Sequence, residues 1–428
     1  MLQQATLQAG TAKVDITPDL RKIRVQLGGY GARLNMPPTG VHDPIYARAL
    51  ALRVGDRQAV IVALDHLLVP GSLTREVLKA TGLQPHQLFL SASHTHCAPD
   101  AMGMNERMRF PIPGVATFVP EFLRFTVARV SEAIRQAQAG MMQAARLALY
   151  SEPVPGLNRN RRGRGITDPT MTVVRISTST NKPIAVLVIY AAHPTIYPHT
   201  MMEVSAEFPG VLQNGLEAFL GNGAVALYLN GAQGDVSPVA DEGKTDHERV
   251  QRYGDRLKDH ALRLLQSVKP VKPRLYTHQQ MVTLPTPRPH PEFQQSAGRE
   301  YKVPESLLNE LVRQIVPPQA PVSLLVLGEL LLVGFPGEPI TALGLEARRI
   351  GQAHGFHYVA PVALVNEWIG YILTRQEYEK GGYEATVSFN GAELGETLMA
   401  GVQHGIEVVQ VAGKGSSVSN RRVGGRRG

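Results

Sequence analysis

The sequence predicts an α/β fold of mixed β-sheets flanked by helices, and three observations lead there. Short apolar runs rich in β-branched residues alternate with stretches of helical period along the chain. Polar, reactive side chains recur just after the predicted strand ends, where short loops are held rigidly. The 428 residues, 43% hydrophobic and 19% charged, suit a large globular unit and not a mainly disordered chain.

In order, Gln58–Leu64 reads as a buried strand, Thr74–Thr81 as a helix, and Gln87–Ser91 as a strand ending just before His94. Phe122–Ala139 has the apolar period of a long amphipathic helix. Strands are predicted at Arg146–Tyr150, Met171–Ile176 and Ile184–Tyr190, the last ending just before His193. A helix over Val211–Leu220 precedes a strand at Val225–Leu229, and His247–Ser267 is a helix charged on one face. Glu305–Val316 is helical, Leu324–Leu327 and Glu329–Gly334 form a strand pair, and Thr341–His354 is a helix. A strand at His357–Ala363 leads into Asn366, and a helix near Glu396–Val409 closes the unit. The Pro-rich Leu284–Pro291 reads as a surface excursion or lobe boundary, and Asp100–Pro120 as a substrate lid or a packed excursion. The expected organisation is one domain over 1–410 and a flexible basic tail over 411–428.

The single cysteine, Cys97, excludes an internal disulfide framework and a cysteine-based zinc cluster. Any metal site must rest on His, carboxylate or Tyr. Five of the eight net positive charges lie in the tail, at Lys414, Arg421, Arg422, Arg426 and Arg427. No aromatic residue is interleaved with them, so nucleic acid is not an expected partner. The N-terminus lacks a basic start followed by an apolar run, and no apolar stretch reaches eighteen residues, so a cytoplasmic location is expected.

Five segments carry candidate chemistry. His94-Thr95-His96, if extended, points both imidazoles to one side. His193 follows an apolar strand, as does Glu338 in Phe335-Pro336-Gly337-Glu338. Asn230–Pro238 reads NGAQGDVSP, placing Ser237 two residues after Asp235 beside glycines that admit close backbone approach. It is not the G-x-S-x-G elbow of a serine hydrolase. Asn366–Arg375 continues to Tyr378 and Tyr383-Glu384 and carries tyrosines that pack or bind. Each segment alone also has a structural reading as a turn, cap or packing residue.

Taken together, these segments resemble the neutral/alkaline, non-lysosomal ceramidase family in order and spacing. SASHTHCAPD is similar to the family's HTHSGP segment, and Ala192-His193-Pro194-Thr195 to its HPTS or HGTS strand end. Gly234–Pro238 preserves G-D-V-S-P, and Pro336-Gly337-Glu338-Pro339-Ile340-Thr341 resembles the family's P-G-E segment followed by Thr. Gly370–Tyr378 with Tyr383-Glu384-Ala385 is similar to its G-Y-V-T-T-x-E-E-Y stretch and the following Y-E-G. Ala12–Pro18, Gly28–Gly31 and His42–Ala49 look like its opening segments, so coverage runs from about residue 10 to 410.

The resemblance implies a neutral ceramidase catalytic-domain-like fold and a zinc-dependent amide hydrolase. Zn2+ would be held by His94, His193, Glu338 and Tyr371. Ser237 would be the nucleophile beside Asp235, with His96, Arg159 and Tyr383 binding the substrate or its oxyanion. The partner would be a small-molecule or lipid amide, ceramide or a relative, with peripheral membrane contact, although no amphipathic membrane helix stands out. Two departures bear on the substrate. The family's C-terminal β-sandwich is not expected here, and Cys97-Ala98-Pro99-Asp100 stands where the family has Ser-Gly-Pro-Gly. The alternatives are a hydrolase of the same fold acting on a sugar- or cell-wall-derived amide or ester, and a non-catalytic relative.

Overall fold

The computed structural model describes residues 6–109 and 111–418. Its strands are apolar on both faces because both faces are covered. In Arg57–Leu64, Val60, Val62 and Leu64 enter one core while Ala59, Ile61 and Ala63 enter another.

The main sheet has nine strands, eight of them along one path. The order is Val225–Asn230, Pro183–Tyr190, Thr170–Ser177, Met142–Pro153, Leu7–Asp15, Tyr46–Val54, Arg57–Leu64 and Leu88–Ala92. Lys269–Pro270 pairs to the side of Met142–Pro153. The outermost pair at each end is parallel and the pairs between are antiparallel, so the sheet is mixed. The sheet bends until its two edges approach: Asn230 Nδ2, at the end of one edge strand, donates to Ser93 O beyond the other at 3.0 Å. A second sheet, Leu275–Thr283, Gln319–Leu327, Leu330–Gly334 and Tyr358–Val362, shares the enclosed core through Leu325, Leu327, Leu330, Leu332 and Val362.

Helices cover the outer faces. Gly71–Thr81 and Pro120–Ala139 bury Leu73, Val77, Phe122, Val130 and Ile134 against the main sheet. Glu207–Leu220 and Asp246–Leu265 pack Phe208, Leu212, Tyr253 and Leu257 onto Val173, Val186, Val188 and Tyr228. Thr341–Ala353 and the C-terminal helix Leu394–Val418 cover the second sheet. The C-terminal helix thus passes the predicted boundary at 410 by eight residues; the remainder of the expected tail, 419–428, lies outside the described residues. No helix among the described residues is long and apolar enough to cross a membrane.

Two excursions form the walls of the site. In Asp100–Pro120 the buried Asp100 carboxylate accepts from Met102 N at 2.9 Å and Ala116 N at 2.8 Å, closing the loop on itself while Met102, Met104 and Ile112 enter the core. The segment after the Pro-rich stretch, including Glu305–Ile315, folds back with Phe293, Leu311 and Ile315 buried.

Burial raises the Glu207 carboxyl to about 8, although Ile196 N donates to Oε1 at 2.6 Å. Between the ordinary carboxylate value and 8 the folded chain keeps a proton that the unfolded chain releases. That contribution to stability is complete at low pH and is lost as pH rises through about 8. Glu207→Gln removes the titration. The stability difference between wild type and variant, measured by denaturant unfolding from pH 4.5 to 8.5, should shift against the wild type by on the order of 3 kcal/mol.

Candidate functional site

The curled sheet delivers two strand ends to one place, and a buried asparagine joins them. Asn230 Nδ2 donates to Ser93 O at 3.0 Å and to Ala192 O at 2.9 Å, and its Oδ1 accepts from Ala192 N at 3.2 Å. These are the residues that immediately precede His94 and His193. His94 has φ +75°, a backbone region costly for a residue with a side chain. It is held there by its N–H to His66 O at 2.9 Å.

Both imidazoles are oriented through Nδ1. His94 Nδ1 lies 2.5 Å from Leu67 O, and His193 Nδ1 lies 3.3 Å from Gln233 O. A carbonyl only accepts, so each Nδ1 carries a proton, and in the neutral ring the lone pair is then on Nε2. The two Nε2 atoms stand 2.9 Å apart. His96 Nε2 lies 3.4 Å from His94 Nε2, and one ligand atom from each of His94, His96 and His193 falls within 4.8 Å of the others. Burial, reinforced at His193 by Arg161, holds the His96 and His193 imidazoles well below the usual histidine range, hence neutral.

Glu338 and Tyr371 arrive from the second sheet's side. The two-residue strands Glu338–Pro339 and Tyr371–Ile372 pair in parallel, with Glu338 directly opposite Tyr371. Trp368 Nε1 donates to Glu338 Oε1 at 3.0 Å. Oε2 is buried without a hydrogen-bond donor and lies 3.1 Å from His94 Nε2 and 3.9 Å from His193 Nε2. Burial opposes the Glu338 charge, while the Trp368 donor and the Arg161 guanidinium favour it. The Tyr371 ring lies parallel to that of His193, 6.4 Å between centroids, and its hydroxyl accepts from Arg161 Nη2 at 2.9 Å.

His94, His96, His193, Glu338 and Tyr371 are therefore brought together, with Tyr383 beside them, its ring 6.0 Å from that of Tyr371. Gly29 has φ +88°, and a Cβ there would stand 2.3 Å from His96 Nδ1, so only glycine lets that ring lie where it does.

Three expected residues stand differently. Ser237 is half-buried on the short strand Val236–Pro238, and its hydroxyl makes no hydrogen bond among the described residues. The carbonyl of Val236, just before it, accepts from His193 N at 3.2 Å. Asp235 holds structure: Oδ1 accepts from Thr341 N and Oγ1, both at 2.7 Å, and Oδ2 accepts from Asn160 Nδ2 at 2.7 Å. Arg159, paired with Ser237 across a two-strand ladder, is exposed and lines neither cavity at the cluster. The guanidinium at the site is that of Arg161, which donates to Glu384, Gly234 O and Tyr371. Asn-Arg occurs twice in Asn158-Arg159-Asn160-Arg161, and residue order gave no reason to choose the second pair. Asn230 and Trp368 were not singled out as site residues either. Trp368 is the chain's one tryptophan, and this was the available signal.

Two solved structures share this architecture. The neutral ceramidase from Pseudomonas aeruginosa superposes with a TM-score of 0.82 at 20% identity, over 95% of this chain and 75% of that one. A ceramidase complexed with C2 gives 0.81 at 19% identity, over 95% and 76%. No curated protein matches the chain. The fold, with a buried histidine trio able to bind a metal, is that of a neutral ceramidase-type hydrolase. The family model for the N-terminal part of neutral/alkaline non-lysosomal ceramidases matches residues 7–252, and the chain belongs to that family.

Replacing Asn230 with Ala strands the carbonyls of Ser93 and Ala192 in a dry interior. An unsatisfied buried polar group costs about 1–3 kcal/mol. Asn230→Ala should lower unfolding free energy by at least about 3 kcal/mol in urea titration, a larger loss than an exposed Asn→Ala change gives.

Proposed function

We propose that the chain is a zinc-dependent hydrolase of N-acyl amides, ceramide or a related lipid amide, with Ser237 as its nucleophile. The observation that carries the metal part is the meeting of two Nε2 lone pairs at 2.9 Å. Acceptors that close repel one another in a buried site unless a cation lies between them. Glu338 Oε2 adds a buried carboxylate oxygen without a donor at the same point. Two imidazoles and a carboxylate suit catalytic zinc, and nitrogen donors favour it over hard cations such as Mg2+ or Ca2+. Tyr371 would add a fourth donor atom.

Zinc held by His94, His193, Glu338 and Tyr371 would supply a Lewis acid for the amide carbonyl. The side chains around it do the positioning. Trp368 fixes the Glu338 carboxylate through Oε1 and leaves Oε2 for the metal. Arg161, kept protonated by Tyr371 and Glu384 against its burial, donates to the Tyr371 hydroxyl and works toward its phenolate form, against the burial that pushes that hydroxyl well above its ordinary value. His96 and Tyr383 line both cavities that meet at the cluster, the placement expected of groups that hold the carbonyl oxygen. Ser237 Oγ, which has no hydrogen-bond partner among the described residues, is the proposed attacking atom. Its attack would release the amine and leave an acyl ester for water to cleave.

Purified protein should contain close to one zinc per chain by elemental analysis, and His94→Ala and His193→Ala should each lose it. Ser237→Ala should retain zinc and lose hydrolysis of a fluorogenic N-acyl amide by at least about 10³-fold. Hydrolysis that survives in Ser237→Ala removes the serine from the mechanism. Zinc-free protein with full activity removes the metal. Trp368→Phe should weaken zinc binding about 10- to 100-fold in competition with a chromogenic chelator.

A further inference from the structure

Two cavities of opposite character meet at the histidine cluster. The more enclosed one has a volume of about 110 Å³ and apolar walls that include Leu67, Ile112, Phe293, Leu311, Ile315 and Phe389. Walls of this kind suit an alkyl chain. The other, about 630 Å³, is lined by Arg161, Arg162, Arg164 and Lys380 against Glu300 and Glu384. Gly29, His96, Tyr371 and Tyr383 border both, so a bond cleaved at the cluster divides a substrate between them.

The charges of the second cavity do not balance. Arg162 is consumed by the fold: Nη1 donates to Glu384 at 2.6 Å, Nε to Glu377 at 3.2 Å, and Nη2 to the carbonyls of Glu377 and Gly381. Glu377 serves three cations at once, Arg162, Arg164 and Lys380. Arg164 uses only Nε, at 2.8 Å, and its Nη groups have no protein partner among the described residues. Of the lining carboxylates, Glu384 is shared by Arg161 and Arg162, and burial raises the Glu300 carboxyl toward its neutral form. Positive charge is left in excess, with Arg164 the group best placed to offer a two-point contact.

We propose that the preferred substrate is an N-acyl amino acid, with a single acyl chain in the apolar cavity and the carboxylate of its amine part in the cationic one. The inference rests on the amidase reading above and narrows it. A carboxylate there matches the unbalanced cations. A long-chain neutral amine part would strip water from those groups and return nothing.

The test compares kcat/KM of the zinc-loaded protein for N-lauroyl-glutamate, N-lauroyl-ethanolamine and a short-chain ceramide. The glutamate amide should lead both others at least tenfold, with a lead that shrinks as salt rises. R164Q should raise KM for the glutamate amide at least tenfold and shrink the lead over the ethanolamide. Equal or better turnover of the ethanolamide or ceramide overturns the proposal and leaves the amidase reading standing. A second measurement is independent of turnover: calorimetric binding of the uncleavable amines N-dodecyl-glutamate and N-dodecyl-ethanolamine to metal-free protein. The glutamate derivative should bind at least tenfold tighter, and R164Q should remove the difference; equal binding by the wild type overturns the proposal. If none of the three amides is hydrolysed, the amidase reading fails, and the binding comparison still decides the charge preference.

Discussion

The constraint on which the site depends is electrostatic: the Nε2 atoms of His94 and His193 and one carboxylate oxygen of Glu338 are held 2.9 to 3.9 Å apart in a buried cluster. Such an arrangement repels itself, so the surrounding structure has to hold it by force of geometry. Leu67 O and Gln233 O fix the tautomers of His94 and His193, and Trp368 fixes one Glu338 oxygen and leaves the other bare. The left-handed backbone at His94 is part of the same cost, on the order of 1–3 kcal/mol. A cation bound there would relieve such repulsion and would link its binding to the stability of the loops that carry these side chains.

The architecture supplies that force through connections between distant elements. Asn230 joins the ends of strands that lie at opposite edges of the main sheet, and this is possible only because the sheet curls. Its own carbonyl accepts from Ala363 N at 2.9 Å, which ties in the second sheet. Gly234 lets the Ser237 loop press against the Glu338 strand; a Cβ there would stand 2.6 Å from Glu338 O. Asp235 then fixes that contact by receiving Thr341 at the start of the next helix. Glu384, through Arg161 and Arg162, attaches the tyrosine-bearing segment to the loop that follows Arg159. The histidine cluster, the serine loop and the cationic cavity are thus one hydrogen-bonded body.

Much of this was legible in residue order, and the failures have identifiable causes. The strands ending before His94 and His193 were found because they are buried on both faces and read as continuous apolar runs. Leu7–Asp15 and Tyr46–Val54 were not singled out as strands. The first carries Lys13, and the second buries Arg48, which interrupts the apolar signal although Asp65 and Glu217 pair it at 2.7 and 2.9 Å. Arg159 rested on the family resemblance of its segment, and only the folded turn after Asn160 shows that the guanidinium beside Tyr371 is that of Arg161.

By itself the sequence determined the local periods, the mixed α/β class, and which residue types could ligate a metal in a chain with a single cysteine. It also carried the family resemblance, because loops that bear reacting groups tolerate few side chains. Tertiary structure alone decided which of those groups meet, which oxygens and nitrogens are left bare, and how charge divides between the two cavities. The reason is that these properties arise from contacts between residues distant in the chain, such as His94 and His193, 99 positions apart, and Arg161 and Glu384, 223 apart. Chain order constrains such contacts only through the complete packing of both sheets.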